Sequence, residues 1–168
     1  MIRSRTFGVS ALDEHEIKEM CHNLLDTGWP AYVTTVDERG FPQTRAMFNL
    51  RNRQRYPKLV SLFSKHRDDF MMLFSTNTSS TKVGEISARP AASVYYCKPE
   101  VTQGVMFGGE FEVVEDIGLK KEIWHDGWER YYPTGYDDPD HTVLRLIPTI
   151  AKGWTGSTTF RLELGDVK

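Results

Sequence analysis

The sequence is short of the features that would place it in several large classes. It has no apolar run of about 18 residues, so no membrane-spanning helix is expected. The first eight residues, MIRSRTFG, lack the apolar stretch of a secretory signal, and a cytoplasmic protein without a membrane partner is the expectation. Only two of its 168 residues are cysteine, Cys21 and Cys97, with no CxxC spacing, which argues against a disulfide framework and for free thiols. The charge is nearly balanced, with 21 basic against 23 acidic residues and a net charge of -2. Nucleic acid is therefore not an expected partner, because binding a phosphate backbone needs a clustered excess of Lys and Arg. The one basic run, RNRQR (51–55), reads as a solvated hairpin loop. GxGxxG after a strand, GxxxxGK[ST], HExxH and GxSxG are all missing. The five histidines show no metal-ligand spacing, and only His125 and His141 remain as remote acid–base candidates.

What is present is a succession of short β-like runs in a chain long enough for one compact domain, residues 1–168. An amphipathic helix over residues 10–26 opens it, with Ser10 as N-cap, Asp13 in the first turn and Gly28 as the stop. AYVTTV (31–36), the turn DERGFP and QTRAMFNL (43–50) then read as a hairpin. Further strands are expected at 59–63, 71–76, 92–97 and 105–114, the last with a bulge or close approach at Gly108-Gly109. Helices are expected at 80–88, ended by Pro90, and at 116–131, where Ile117, Lys121, Trp124, Trp128 and Tyr131 share a face. VLRLIP (143–148) and AKGWTG (151–156) close the chain as a final β pair. Mostly antiparallel strands with few helices favour a mainly β, six-stranded antiparallel Greek-key split barrel with flanking helices.

The residues suited to chemistry lie where a strand gives way to a helix. Ser75, Thr76, Ser80 and Thr81 offer hydroxyls there, the helix start offers free N–H groups, and Lys82 offers a full charge. Such a set suits a phosphomonoester, although an ordinary N-cap with a solvated lysine uses the same residues. Arg45 alternates out of the apolar set of its strand and needs an anionic partner if it points into a barrel mouth.

Taken together, GxPxxR (Gly40, Pro42, Arg45) and TNxxSxK (Thr76, Asn77, Ser80, Lys82) resemble the pyridoxamine-phosphate-oxidase-like FMN-binding split barrels of the general stress protein type. The likeness runs over residues 24–156, through RPAASVYYCKP, VMFGGEFEVVED and GYDDPDHTVLRLIPTIAKGWTG. It implies an FMN phosphate held by Arg45 and Lys82, with Ala46, Met47, Ser75 and Thr76 near the rest of the flavin. It also implies a homodimer in which Gln103 and Trp154 reach the flavin of the facing subunit. The expected activity is electron transfer between FMN and a small-molecule acceptor or donor. A flavin-binding module without turnover is the alternative, and haem or deazaflavin binding ranks lower. The substrate-phosphate segment of the true oxidase, of the type Arg-Leu-His-Asp-Arg, is replaced by Arg161-Leu162-Glu163-Leu164-Gly165, so pyridoxine-phosphate oxidation is not expected.

Overall fold

The computed structural model describes residues 13–165. Helix α1 (Glu14–Thr27) is capped by Asp13, which accepts from the backbone of Glu16 while the Glu16 side chain accepts from the backbone of Asp13. Asp13 is thus the cap, in place of the expected Ser10, which lies outside the described residues. The hairpin β1 (Ala31–Val36) and β2 (Pro42–Met47) follows, with Tyr32 opposite Ala46 and Val33 opposite Arg45.

Residues 59–63 are helical, against expectation: a 3-10 turn (Pro57–Leu59) runs into helix α2 (Val60–Ser64). Pro57 starts the turn with its φ already set, and buried Leu59, Leu62 and Phe63 lie at helical spacing. Then come β3 (Met72–Asn77), α3 (Thr81–Ala88), β4 (Ala91–Lys98) and β5 (Gln103–Val113). The register of β5 against its neighbour shifts at Gly108/Gly109, as the glycine pair suggests.

The expected helix over 116–131 is a short α4 (Ile117–Glu122) and a separate 3-10 turn (Trp128–Arg130). Gly127, at φ 93°, turns the chain between them, so the predicted common face does not form: Ile117 and Tyr131 are exposed while Trp128 is buried. The expected final β pair is instead one long strand, β6 (His141–Thr155), and its partner is β7 (Thr158–Glu163) beyond the turn at Gly156.

Among the described residues all the strand pairs are antiparallel and form a seven-stranded sheet in the order β2-β1-β4-β5-β6-β3, with β7 also on β6, one strand more than the six expected. β3 sits between two cores, which explains the continuous burial of Met72, Leu73 and Phe74: Met72 and Phe74 join Leu24, Phe107 and Leu144, whereas Leu73 joins Leu59, Phe63 and Trp128. The run at 51–55 is a solvated loop only from Arg53 to Arg55, since Arg51 and Asn52 are buried. Arg51 is buried, donating to Asp26 and to the carbonyls of Met71 and His66, and Arg53 pairs with Asp26 from the surface. Cys21 and Cys97 are free, the first buried and the second half-buried. No helix among the described residues is long and apolar enough to cross a membrane.

Two glycines separate packing from backbone freedom. A Cβ at Gly153 would collide with the Gly104 carbonyl and the Phe160 ring, one strand to each side. Gly153→Ala is expected to cost about 1–3 kcal/mol, because sheet backbone cannot withdraw as a side chain can. Gly84, inside α3, has open space where a Cβ would stand, and Gly84→Ala should gain about 0.5–1 kcal/mol. Thermal unfolding of the two variants checks the opposite signs.

Candidate functional site

The two ends of the strand path, β2 and β3, flank a cleft of about 330 Å³. β2 contributes Arg45, Ala46 and Met47, with Phe48 just beyond it. β3 contributes Ser75, Thr76 and Asn77, and α3 contributes Lys82. Trp128, Tyr131 and Tyr132 complete the lining.

Arg45 does find an anionic partner, supplied by the protein itself. Its guanidinium donates to Glu85 at 3.1 Å and to the Thr35 hydroxyl at 2.5 Å, and that hydroxyl donates in turn to Glu85 at 2.5 Å. Thr35 is fully buried, so this triangle fixes the guanidinium plane while leaving other N–H groups uncommitted. The Lys82 ammonium donates to Thr76 Oγ1 at 2.8 Å. Burial lowers its pKa, the Arg45 charge lowers it further, and Glu85 opposes both. Two cations and one carboxylate leave the cluster with a single surplus positive charge and spare donors, which suits an anionic ligand.

The turn between β3 and α3 is pinned to the far end of the chain. Asn77 donates to the Asp140 carboxylate at 2.7 Å, and the backbone N–H of Ser79 donates to it at 2.8 Å. These bonds, that of Asn77 foremost, hold Asp140 below the usual carboxylate range. Ser80 is the N-cap residue of α3, yet its hydroxyl donates to the Asn77 carbonyl rather than capping the helix.

On the opposite wall, the Ser75 hydroxyl lies 3.0 Å from His141 Nε2, and His141 Nδ1 lies 2.7 Å from the Tyr136 carbonyl. The imidazole is buried among Trp124, Trp128 and Tyr132, the last with its ring centre 4.5 Å away. Burial pulls its pKa below the usual histidine range, with Lys120 acting in the same direction and the Tyr136 carbonyl and Asp138 opposing.

Of the ten residues singled out from the sequence, Arg45, Ala46, Met47, Ser75, Thr76 and Lys82 meet on this cleft. Ser80 and Thr81 stand at its edge, outside the lining. Gln103 and Trp154 lie outside the lining, where β5 begins and β6 ends: Gln103 donates to Thr155 and the Trp154 indole donates to the Tyr95 hydroxyl at 3.2 Å. Sequence reasoning missed Thr35, Glu85 and Tyr132. Glu85 left one signal, its place three residues after Lys82 on the same side of a helix.

No curated protein matches the chain. Among solved structures it is similar to a protein related to general stress protein 26 of B. subtilis, of the pyridoxinephosphate oxidase family, from Clostridium acetobutylicum. The two share 25% identity at a TM-score of 0.71, over 90% of this chain and 96% of that one. A pyridoxamine 5'-phosphate oxidase-related, FMN-binding protein from Nostoc punctiforme shares 15% identity at a TM-score of 0.58, over 90% of each chain. A heme-binding protein from Mycobacterium smegmatis shares 13% identity at a TM-score of 0.62, over 88% of this chain and 57% of that one. The last two likenesses establish a common fold and nothing about ligand. The profile of one family, pyridoxamine 5'-phosphate oxidase like, matches residues 46–164, from the end of β2 to just past β7. That match spans well over half of the sequence, and the chain belongs to the pyridoxamine 5'-phosphate oxidase like family.

Proposed function

We propose that the cleft binds FMN and that the protein is an FMN-dependent oxidoreductase passing electrons to a small-molecule acceptor. The observation carrying this reading is the convergence of Arg45 and Lys82, from β2 and α3, on one cleft with a surplus positive charge. A phosphate dianion suits that pair, since each cation keeps donors unused by the protein. Glu85 and Thr35 orient Arg45, and Thr76 anchors Lys82. Ala46, Met47 and Ser75 border the space beyond, with Phe48, Trp128 and Tyr131 as flat surfaces for a planar ring. FMN supplies the hydride or electron chemistry when bound, and the protein supplies orientation and electrostatics. Haem is less well served, because both ring nitrogens of His141 are already engaged.

Homodimerisation belongs to the same reading. The outward row Ala46, Tyr32, Tyr95 and Met106 crosses four strands in register from the cleft, with Tyr32 on β1 and Phe48 just past β2 both exposed. An isologous pairing of this face brings the partner subunit's Gln103 and Trp154 towards the cleft. Sedimentation at micromolar concentration should give a dimer; a monomer would remove these two residues from the site.

Arg45→Ala and Lys82→Ala should each lose a charge-assisted hydrogen bond of about 1.5–3 kcal/mol, weakening FMN binding roughly ten- to a hundredfold. Riboflavin, which has no phosphate, should bind both variants nearly as it binds the unchanged protein. Arg53→Ala, on the far side, should leave both affinities alone. Fluorescence titration reads all three, and wild-type FMN affinity in both cleft variants would refute the assignment.

A further inference from the structure

Ser75 and His141 form a directed pair whose polarity follows from one hydrogen bond. A backbone carbonyl only accepts, so the 2.7 Å contact with Tyr136 requires the proton of a neutral imidazole on Nδ1. Nε2 is then an acceptor, and the Ser75 hydroxyl must spend its hydrogen on it across 3.0 Å. What Ser75 has left, for the Tyr132 hydroxyl beside it and for the cleft it lines, is its lone pairs. When the imidazole takes up a proton, Nε2–H becomes a donor, Ser75 accepts from it, and the serine hydrogen swings away.

We propose that His141 sets the hydrogen-bonding polarity of Ser75, so that the cleft presents an acceptor to its ligand at neutral pH and a donor once His141 is protonated. The favoured ligand therefore joins an anionic end, for Arg45 and Lys82, to an O–H or N–H donor at Ser75. This rests on the phosphate-binding reading above and deepens it, since FMN carries such a donor in its ring N–H, whereas its ribityl hydroxyls accept as readily as they donate. The groups that set the titration surround the ring on every side. Lys120 on α4 disfavours the cation; the Tyr136 carbonyl and Asp138 in the preceding loop favour it. Trp124, Trp128 and Tyr132 close over the ring, and β3 contributes Ser75 and, beside it, Asn77 bound to Asp140.

The test compares FMN affinity in the full-length protein with that in Ser75→Ala and His141→Phe at pH 7.5 and at an acid pH where nitrogen-15 NMR shows His141 protonated. The phosphate titrates in this range, but it does so in every variant and cancels from affinity ratios. At pH 7.5 the unchanged protein should bind FMN about fivefold more tightly than Ser75→Ala, the worth of one neutral hydrogen bond. Once His141 is protonated, that ratio should decline towards one. His141→Phe should bind FMN to the same degree, relative to Ser75→Ala, at both pH values. A ratio near one at pH 7.5, or one that does not move with pH, overturns the proposal. Nitrogen-15 NMR of the His141 imidazole decides it independently of any ligand and of whether His141→Phe folds: Nδ1–H supports it and Nε2–H overturns it. Failure of the unchanged protein to bind FMN would instead overturn the reading on which this one rests.

Discussion

Asp26→Asn is expected to destabilise the protein by about 3–5 kcal/mol, measured as the loss in urea-unfolding free energy at pH 7.5. The Arg51 side chain is only 2% exposed and lies between α1 and the start of β3. Its guanidinium donates to the Met71 carbonyl at 3.0 Å and to Asp26 at 3.3 Å, and it lies 5.2 Å from the centre of the Phe63 ring. Burial drags the Arg51 pKa down, and Asp26 is the first of the groups opposing that shift. Without the carboxylate, a cation stays buried with neutral acceptors alone, and breaking a buried pair from one side costs about 3–5 kcal/mol. Against a typical stability of about 5–15 kcal/mol, that is a large fraction. Arg53→Ala is the control, because Arg53 reaches the same carboxylate at 2.6 Å from a half-exposed position. Its loss should cost less than about 1 kcal/mol. Equal losses in the two variants would show that Asp26 serves the surface pair and that Arg51 is satisfied by carbonyls alone.

Arg51 also shows where the sequence stops being legible. RNRQR has the composition of a loop, and nothing within it tells which arginine turns inward. That is decided by Asp26, 25 residues earlier, and by a carbonyl 20 residues later. Strands with two-residue alternation or punctuated ends were readable: β1 falls on the expected residues, and β3, β4 and β5 within two of them. PKLVSLF was misread because a short apolar run carries β and helical patterns at once, and the second core decides between them. The tryptophan segment satisfies helical spacing, yet Gly127 at φ 93° and the cluster around His141 fix it as separate turns. Arg45 and Lys82 could be singled out because they are charged where their elements are not. Thr35 could not, since a threonine in a strand needs no explanation, and its role exists only once Glu85 comes round on α3. Tyr132 and Ser75 are 57 positions apart, and only the fold shows them to share one wall.

The second large effect is acid lability centred on His22. The residue is 6% exposed, its ring stacks on Phe70 at 4.3 Å and 3°, and its Nδ1 has no hydrogen-bond partner. Burial, reinforced by the charges of Arg67 and Arg51 and opposed by Asp26 and Glu19, lowers its pKa to about 4 from 6.5. Between those values the unfolded chain holds a proton that the folded protein refuses, so acid favours unfolding. The neutral ring's contribution is present in full above pH 6.5 and lost as pH falls towards 4, at about 1.4 kcal/mol per unit and about 3 kcal/mol in all. Below pH 4 both states are protonated, and His22 adds no further slope. His141, also lowered by burial, works in the same direction, so the unaltered protein alone cannot isolate the effect. His22→Phe can, because a phenyl ring keeps the stack on Phe70 and has no proton to take up. Stability measured by urea unfolding from pH 7.5 to 4 should fall about 3 kcal/mol further in the unaltered protein than in His22→Phe. Parallel curves would mean that the pocket opens to admit water before the ring is charged. Asp26 lies one helical turn from His22, and Arg51, which pairs with Asp26, also acts on the His22 imidazole. The two substitutions should therefore not be additive: Asp26→Asn removes a charge that now favours the imidazolium, pushing the acid transition of His22 to lower pH.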